Sequence, residues 1–587
     1  MEKWFLSAKK ANFNEIGKHF NINPVTARII RNREMIEEKQ IQRYLFGNEI
    51  DLVDPKLLKD GCVGARILKT SIQENKKIRI IGDYDVDGVT STYILYQGIC
   101  RCGGNVDTVI PHRMKDGYGV NENLIEQAYK DGVEVIVTCD NGISALEAIH
   151  LAKRYKMTVI VTDHHEIPFT YDEQGGKILK RSEADVIINP KQLDCNYPFK
   201  GLCGAGVAFK FVELLYQEFQ IPKEEAKEFY TYVAIGTICD VMDLIDENRI
   251  FVKLGLAQIK ETQDVSLLAL IKECKLEPSN ISTYHIGFVI GPCMNASGRL
   301  DTARKTLELF LTKEPSKASL LAAELVKLNG ERKTLTEEFL QQAMEKIEEN
   351  QWIKDKVMVV FLPDCHESIA GIIAGRIREK YYRPVFVLTR GEEAVKGSGR
   401  SIDAYSMYEE MTKVDELFLG YGGHPLAAGC SIEEDKVDLL RIRLNELCTL
   451  KEEDLFEKVM IDVPMPMGYV TKELVEEFKI LEPFGKGNLK PLFAEREMII
   501  RWIKIVGNNR KIVKLGLGRP NEKEIDAVYF GDHEQFLNDI EKIYGKATRE
   551  KLLLGQEKNV KMSFTFYPEI NEYRGSTSLQ MVIKNYN

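Results

Sequence analysis

Between Ile78 and Ile188, short apolar runs alternate with longer stretches of helical character. The runs are Ile78–Ile81, Val106–Ile110, Val133–Thr138, Thr158–Thr162 and Val186–Ile188. That alternation predicts an α/β domain over residues 51–300, a parallel sheet with helices on both faces. Residues 302–350 switch to helix formers, with Leu335, Phe339 and Ile347 near helical spacing. This predicts a connecting helix over 301–350, interrupted at Asn329-Gly330. A second α/β lobe is expected over 351–457, with strands Val357–Phe361 and Pro384–Leu388 around the small-residue helix Ile369–Arg376. Over 458–587 the pattern becomes short strands and turns: Met498–Val506, Lys511–Leu517, Ala527–Phe530, Val560–Tyr567 and Ser578–Ile583. Such spacing predicts a small β-barrel. Residues 1–50 read as a polar helical segment, punctuated by Pro24 and Gly47-Asn48, without chemistry of its own.

A chain of 587 residues, 44% hydrophobic and 29% charged, is an ordinary globular composition too long for one core. No stretch approaches eighteen apolar residues, so no membrane helix is expected. The start lacks the apolar core of a secretory signal. Twelve cysteines are scattered without a C-x-x-C pair, which reads as reduced thiols in the cytoplasm. The net charge of −9 superficially opposes nucleic acid, but acids gathered at a metal site are neutralised when ions bind. Distribution matters more than the sum. Residues 501–587 carry 15 Lys+Arg against 11 Asp+Glu, a local excess of four cations.

The chemistry is concentrated where the apolar runs end. Arg79-Ile-Ile-Gly-Asp83-Tyr-Asp85-Val-Asp87-Gly carries three carboxylates at alternate positions. In an extended segment these share one face, and three carboxylates repel unless a cation neutralises them. Two further runs end in Asp140-Asn-Gly142 and in Asp163-His164-His165. In an open α/β sheet the carboxyl ends of parallel strands gather in one crevice. Asp240, in Gly236-Thr-Ile-Cys-Asp240, would complete a carboxylate and imidazole set able to hold two divalent ions. Mixed oxygen and imidazole ligands favour Mn²⁺ or Mg²⁺, and zinc is disfavoured because no thiolate cluster accompanies them.

Four segments, Asp-x-Asp-x-Asp-Gly, the Asp140 run, Asp-His-His and the Asp240 run, resemble in order and spacing the motifs of the DHH phosphoesterases. The context includes Leu202–Lys210, Asn295–Leu300, Gly422–Gly429 and Leu481–Asn488. These are similar to the single-stranded-DNA-specific exonucleases of that family. The resemblance implies a metal-dependent 5′→3′ exonuclease that degrades single-stranded DNA to mononucleotides in repair and recombination. It implies Asp85, Asp87, Asp140, His164 and Asp240 as metal ligands. Asp83 and Asp163 are either ligands or residues orienting the histidines, and His165 is read as a phosphate contact. Asp364-Cys-His-Glu367 departs from the Trp-His pair of many relatives, and Leu489 stands where a proline is usual.

In the second lobe, Gly397-Ser398-Gly-Arg400-Ser401 and Gly422-Gly423-His424 read as phosphate-binding loops. Glycines admit backbone N–H groups to an anion, and arginine grips its oxygens bidentately. By resemblance, this lobe is the DHH-associated C-terminal domain, and Arg299 contacts phosphate. His366 opens a helix, where dipole and imidazole could both meet an anion. Gly204-Ala-Gly206 reads as a packing turn. In the barrel, Trp502, Tyr529, Phe530, Phe566 and Tyr573 accompany Lys504, Arg510, Lys511, Lys514 and Arg574. Aromatic platforms with interleaved cations suit single strands, with only one or two of these aromatics expected to be exposed. The partners expected are single-stranded DNA, a single-strand-binding protein and a helicase, with no membrane and a monomeric state. Two alternatives remain: a phosphoesterase acting on short oligonucleotides or cyclic dinucleotides, and a non-catalytic replication scaffold. The terminal barrel weighs against the first, and the complete ligand set against the second.

Overall fold

The computed structural model describes residues 2–113, 116–117, 119–171, 176–507, 511–519, 523–556, 560–573 and 575–587, without the side chains of Tyr171 and Tyr573. The chain divides into two compact units, one formed by Leu52–Met242 and Ile250–Glu457, the other by Glu2–Asp51, Asp243–Arg249 and Lys458–Asn587.

The first unit opens with a five-stranded parallel sheet. Its strands are β1 (Lys77–Ile81), β2 (Asn105–Val109), β3 (Val135–Cys139), β4 (Thr158–Thr162) and β5 (Val186–Ile188), in the order β2-β1-β3-β4-β5. Alternation along each strand explains why both faces are covered. Ile78, Ile80, Val135, Val137 and Ile160 face one core with α1 (Val86–Arg101) and α2 (Gly204–Phe219). Ile81, Ile136, Val159 and Val161 face another, with Ile125, Ala128, Ile149 and Ala152. Each fully buried aliphatic side chain stabilises the fold by roughly 1.5–3 kcal/mol. The helices α3 (Tyr230–Cys239) and α4 (Gly291–Leu300) complete this half of the unit.

The connecting region differs from expectation. A helix over Arg304–Leu311 ends first, and α5 (Pro315–Glu349) then runs unbroken through Asn329-Gly330. Asn329 tolerates the helix interior because its side chain is employed elsewhere. It donates to Cys293 Sγ at 3.2 Å and accepts from Arg332 Nε at 3.2 Å and Nη2 at 2.9 Å. The second lobe holds β6 (Met358–Phe361), α6 (Glu367–Tyr381), β7 (Val385–Arg390), β8 (Val395–Arg400), β9 (Phe418–His424) and β10 (Ala427–Ile432). The sheet order is β9-β10-β8-β7-β6, antiparallel apart from the β6–β7 pair. The two glycine-rich segments expected as loops therefore lie on strands.

In the second unit β11 (Phe493–Val506), β12 (Ile512–Gly518), β13 (Ile525–Tyr529), β14 (Val560–Tyr573) and β15 (Ser576–Tyr586) pair in the order β11-β12-β13-β15-β14. Pairing of β14 back onto β11 closes the ring. Its core of Phe493, Ile500, Leu515, Phe564 and Phe566 is shared with Ile29, Ile30, Tyr44 and Leu45 from the N-terminal helices. Arg249 ties three distant segments of this unit, donating to the carbonyls of Tyr44 at 2.8 Å, Leu481 at 3.0 Å and Ile480 at 3.1 Å. Asn488 donates to the carbonyls of Leu481 and Pro483, each at 2.8 Å, which makes the Leu481–Asn488 motif a clasp within the fold. No helix among the described residues is long and apolar enough to cross a membrane.

Candidate metal centre

The first acidic segment does not leave the sheet as an extended strand. Asp83 and Asp85 sit in the turn after β1; Asp85 caps α1, accepting from Gly88 N at 3.0 Å, and Asp87 lies in the first helical turn. The chain turns because the helix begins at Val86, so convergence of the carboxylates follows from strand-to-helix geometry. Asp87 is held from the other side. The first amides of α2 donate to it, Gly204 N at 2.6 Å and Ala205 N at 2.9 Å. A helix N-terminus favours a carboxylate there. The Gly204-Ala-Gly206 segment is thus part of the site, and a Cβ at Gly204 would stand 2.7 Å from the Asp140 Cβ.

Asp140, just past β3, adopts φ +59°. Asn141 beside it donates to Ile81 O at 3.2 Å and Cys139 O at 2.8 Å, fixing the ends of β1 and β3. His164, just past β4, brings Nε2 to 2.9 Å from Asp140 Oδ1, and to 3.7 Å from both Asp87 Oδ2 and Asp240 Oδ2. Asp240 ends α3, and Val241 after it takes φ +54°. Backbone outliers of this kind cluster at functional sites.

Candidate ligand atoms fall into groups within 4.8 Å: Asp83, Asp85 and Asp140; Asp87, His164 and Asp240; and Asp140, His164 and His165. Asp140 and His164 are each shared between groups. Nδ1 of His164 and Oδ1 of Asp83 are buried and make no hydrogen bond among the described residues, and Nε2 of His164 lies near Asp140 Oδ1 without the alignment of a hydrogen bond. A buried polar atom left so costs about 1–3 kcal/mol, and a cation would meet that need. Burial pushes the Asp83 and Asp140 carboxyls well up, with neighbouring carboxylates adding to it. Burial lowers His164 to about 4, so the ring is neutral and able to ligate.

Asp163 is engaged otherwise. It accepts from Ile143 N at 2.9 Å and His164 N at 2.7 Å, and lies 2.8 Å from His165 Nδ1. Burial would raise its carboxyl, but the His165 hydrogen bond and charge pull it down. Burial would likewise lower His165, yet the bond to Asp163 raises it to about 9 and keeps the ring cationic at neutral pH.

The other half of the arrangement surrounds the N-terminus of α6. His366 caps it, its Nδ1 2.7 Å from Ser368 Oγ and 3.3 Å from Ser368 N. Arg299, at the end of α4, donates to Ser368 O at 2.6 Å. Arg400 passes the helix so closely that a Cβ at Gly371 would lie 2.8 Å from Nη2 and 3.5 Å from the Ser398 Cβ. Register aligns Arg400 and His424 with Ala427, and Ser398 and Gly422 with Gly429. Cross-strand partners share a face, so Ser398, Arg400 and His424 line one side of the sheet. Gly423, at φ +148°, has no room for a side chain because a Cβ would meet Ala428 at 2.6 Å. Ser401 does not join the group: it is buried, and its hydroxyl donates to Tyr405 O at 2.6 Å.

Burial lowers Arg299 to about 10, and the Arg113, Arg332 and Arg400 charges push the same way. Arg113 also lies over the Tyr84 ring at 4.9 Å. Arg113 is not among the residues expected from sequence, although Pro111-His112-Arg113 follows β2 as the acidic segments follow β1, β3 and β4.

In the barrel, Phe566 is core and Phe530 is exposed, while Tyr529 is half-buried against Phe536 and Tyr586. Lys504 lies 5.2 Å from the Trp502 ring, opposite Lys514. Arg510 and Arg574, and the Tyr573 side chain, lie outside the described residues.

A parallel sheet delivering Asp83, Asp85, Asp140 and Asp163-His164-His165 at its strand ends defines the class as a DHH-domain protein. Residues 77–237 match the DHH family, N-terminal domain; residues 354–449 match the DHHA1 domain, and residues 461–585 the RecJ OB domain. The chain is 30% identical over 583 residues to the single-stranded-DNA-specific exonuclease RecJ of Escherichia coli (strain K12), covering 96% of this chain and 95% of that protein. It is 33% identical over 521 residues to the Bacillus subtilis (strain 168) protein of that name, covering 88% of this chain and 64% of that one. The chain therefore spans under two thirds of the length of the Bacillus relative. Among solved structures, RecJ from Thermus thermophilus in complex with Mn²⁺ is 25% identical with a TM-score of 0.81, covering 100% of this chain and 79% of that one. An exonuclease RecJ bound to manganese is 32% identical with a TM-score of 0.58, covering 68% of this chain and 96% of that one. This chain belongs to the RecJ family.

Proposed function

We propose that this chain is a metal-dependent exonuclease that degrades single-stranded DNA from the 5′ end to mononucleotides, in DNA repair and recombination. The observation carrying the reading is the pair of ligand groups joined by Asp140 and His164, in the same unit as the arginine-lined N-terminus of α6. The related proteins are named single-stranded-DNA-specific exonucleases, and related structures are described in complex with manganese.

Asp85, Asp87, Asp140, His164 and Asp240 would hold two divalent cations, Mn²⁺ or Mg²⁺, with Asp83 completing one group. Such ions supply Lewis acidity toward the scissile phosphate and its attacking water. The residues themselves prepare the rest. The α2 amides fix Asp87, and Asp163 orients His165, whose cationic ring meets a phosphate oxygen. Arg299, Arg400, Ser398, His424 and the first turn of α6 with His366 hold the phosphates of the strand. Residues 51–300 carry the chemistry, 351–457 the substrate clamp, and 458–587 a barrel that retains the strand through Trp502, Lys504 and Lys514. A single-strand-binding protein and a helicase supply its substrate in the cytoplasm, and the enzyme acts as a monomer; these points rest on resemblance.

Digestion of a single strand labelled at either end, beside the same sequence as blunt duplex, tests the reading. Early release of labelled mononucleotide from the 5′ label and a resistant duplex are expected. Internal cuts, or release from the 3′ label first, would overturn it.

A further inference from the structure

Away from the metal centre, two cysteines of the first unit meet across a helix boundary. Cys274 caps the helix Val265–Glu273, and Cys293 lies in the first turn of α4. Their sulfurs are 3.8 Å apart. None of the twelve thiols is in a disulfide. The surroundings single this pair out chemically. Cys293 Sγ accepts from Asn329 Nδ2 at 3.2 Å, and Asn329 is in turn gripped by the Arg332 guanidinium. The Asn329 amide and neighbouring cations stabilise negative charge on that sulfur, as a nucleophilic thiolate requires. The hydrogen bond shared with Cys274 pulls the Cys293 thiol below its ordinary range despite burial, aided by Asn329 and the Lys333 and Arg332 charges, and the same contact pushes the Cys274 thiol up. Cys139, Cys203 and Cys365 are instead pushed up, burial being the largest cause. Cys274 is partly exposed, whereas Cys293 is 3% exposed. An oxidant must therefore be small to reach it.

We propose that Cys274 and Cys293 are a reactive thiol pair that hydrogen peroxide converts to a reversible disulfide. The Cys293 thiolate attacks a peroxide oxygen; the O–O bond breaks, hydroxide leaves and takes up a proton, and Cys293 becomes a sulfenic acid. The Cys274 sulfur then attacks the Cys293 sulfur. The S–O bond breaks, the Cys274 proton leaves with the hydroxyl as water, and the S–S bond forms. Two thiols are oxidised and one peroxide is reduced to two waters. Little motion is required, since sulfurs already in contact need close only to the roughly 2.05 Å of a disulfide. The bond joins the helix before Cys274 to α4, whose far end carries Arg299.

Peptide mapping of the folded, peroxide-treated protein, alkylated before digestion, tests this directly. The expected result is a Cys274–Cys293 cross-linked peptide about 2 Da lighter than the two free peptides together, and lost on reduction. Cys274→Ser should leave Cys293 as a sulfenic acid that a dimedone probe captures when the oxidised protein is unfolded in its presence. Asn329→Ala should slow cross-linking several-fold by removing the donor to sulfur. Alkylation of both cysteines in full at peroxide concentrations that oxidise other thiols of the chain would overturn the proposal. So would cross-links that avoid this pair. Because mapping is read on the unmodified chain, neither result depends on a variant that folds.

Discussion

At the scale of single residues, the site separates groups that hold charge from groups that hold those groups. Asp163 belongs to the second kind, since its oxygens are taken up by the Ile143, His164 and His165 amides and by the His165 ring. Asp163→Asn keeps the shape but removes the charge that maintains His165 as a cation. Turnover at saturating Mn²⁺ should fall about 10–100-fold, measured as initial rate on a short oligonucleotide. An unchanged rate would show that the Asp163 charge does not support turnover through His165. Val241 poses a separate question, because a β-branched residue at φ +54° is strained and its side chain is 61% exposed. Asparagine adopts this conformation readily. Val241→Asn should stabilise the metal-free protein by roughly 1 kcal/mol, visible as a higher urea midpoint. A lower midpoint would mean the valine packs in a way its exposure does not suggest.

At the scale of elements, the strands of the parallel sheet were legible because most are almost continuously apolar and end in carboxylates or histidines. Asp140 and Asp163–His165 could be placed on that logic alone. Three things were not legible. The turn that converges Asp83, Asp85 and Asp87 depends on where α1 starts, which an alternating pattern read as extended does not reveal. The grip of α2 on Asp87 is made by backbone amides, which carry no residue signature. The continuity of α5 through Asn329-Gly330 rests on a tertiary hydrogen bond to Cys293 that overrides local propensity. Gly330 itself makes no such contact: it is exposed, and a Cβ there would meet nothing within 4 Å. Gly330→Ala should therefore stabilise the first unit by about 0.5–1 kcal/mol, read as a rise in its unfolding midpoint. A fall would point to a hinge that needs the glycine.

At the scale of the whole molecule, the second unit is assembled from the two ends of the chain and a short internal segment. Composition could not show this, because residues 1–50 look polar and helical by themselves; Ile29, Ile30, Tyr44 and Leu45 are buried only in company with Phe493, Phe564 and Phe566. A chain ending at Glu457 should consequently expose these residues. Limited proteolysis should then cut within residues 2–51 at least tenfold faster than in the full chain, since several fully buried side chains at roughly 1.5–3 kcal/mol each lose their partners. Persistent protection of that segment would show that it folds without the barrel.

The central claim is that Asp140 and His164 join two groups of ligands that hold the cations used in hydrolysis. The most direct measurement follows Mn²⁺-induced thermal stabilisation and hydrolysis of single-stranded DNA in parallel, on the wild type, Asp140→Asn and His164→Ala. Binding to the folded state at a hundred times Kd stabilises by about 2.7 kcal/mol, so the wild type should show a clear upward shift in Tm together with activity. Both variants should lose hydrolysis and most of that shift while keeping a cooperative transition. Retention of the full Mn²⁺ shift with hydrolysis intact in either variant would contradict the account.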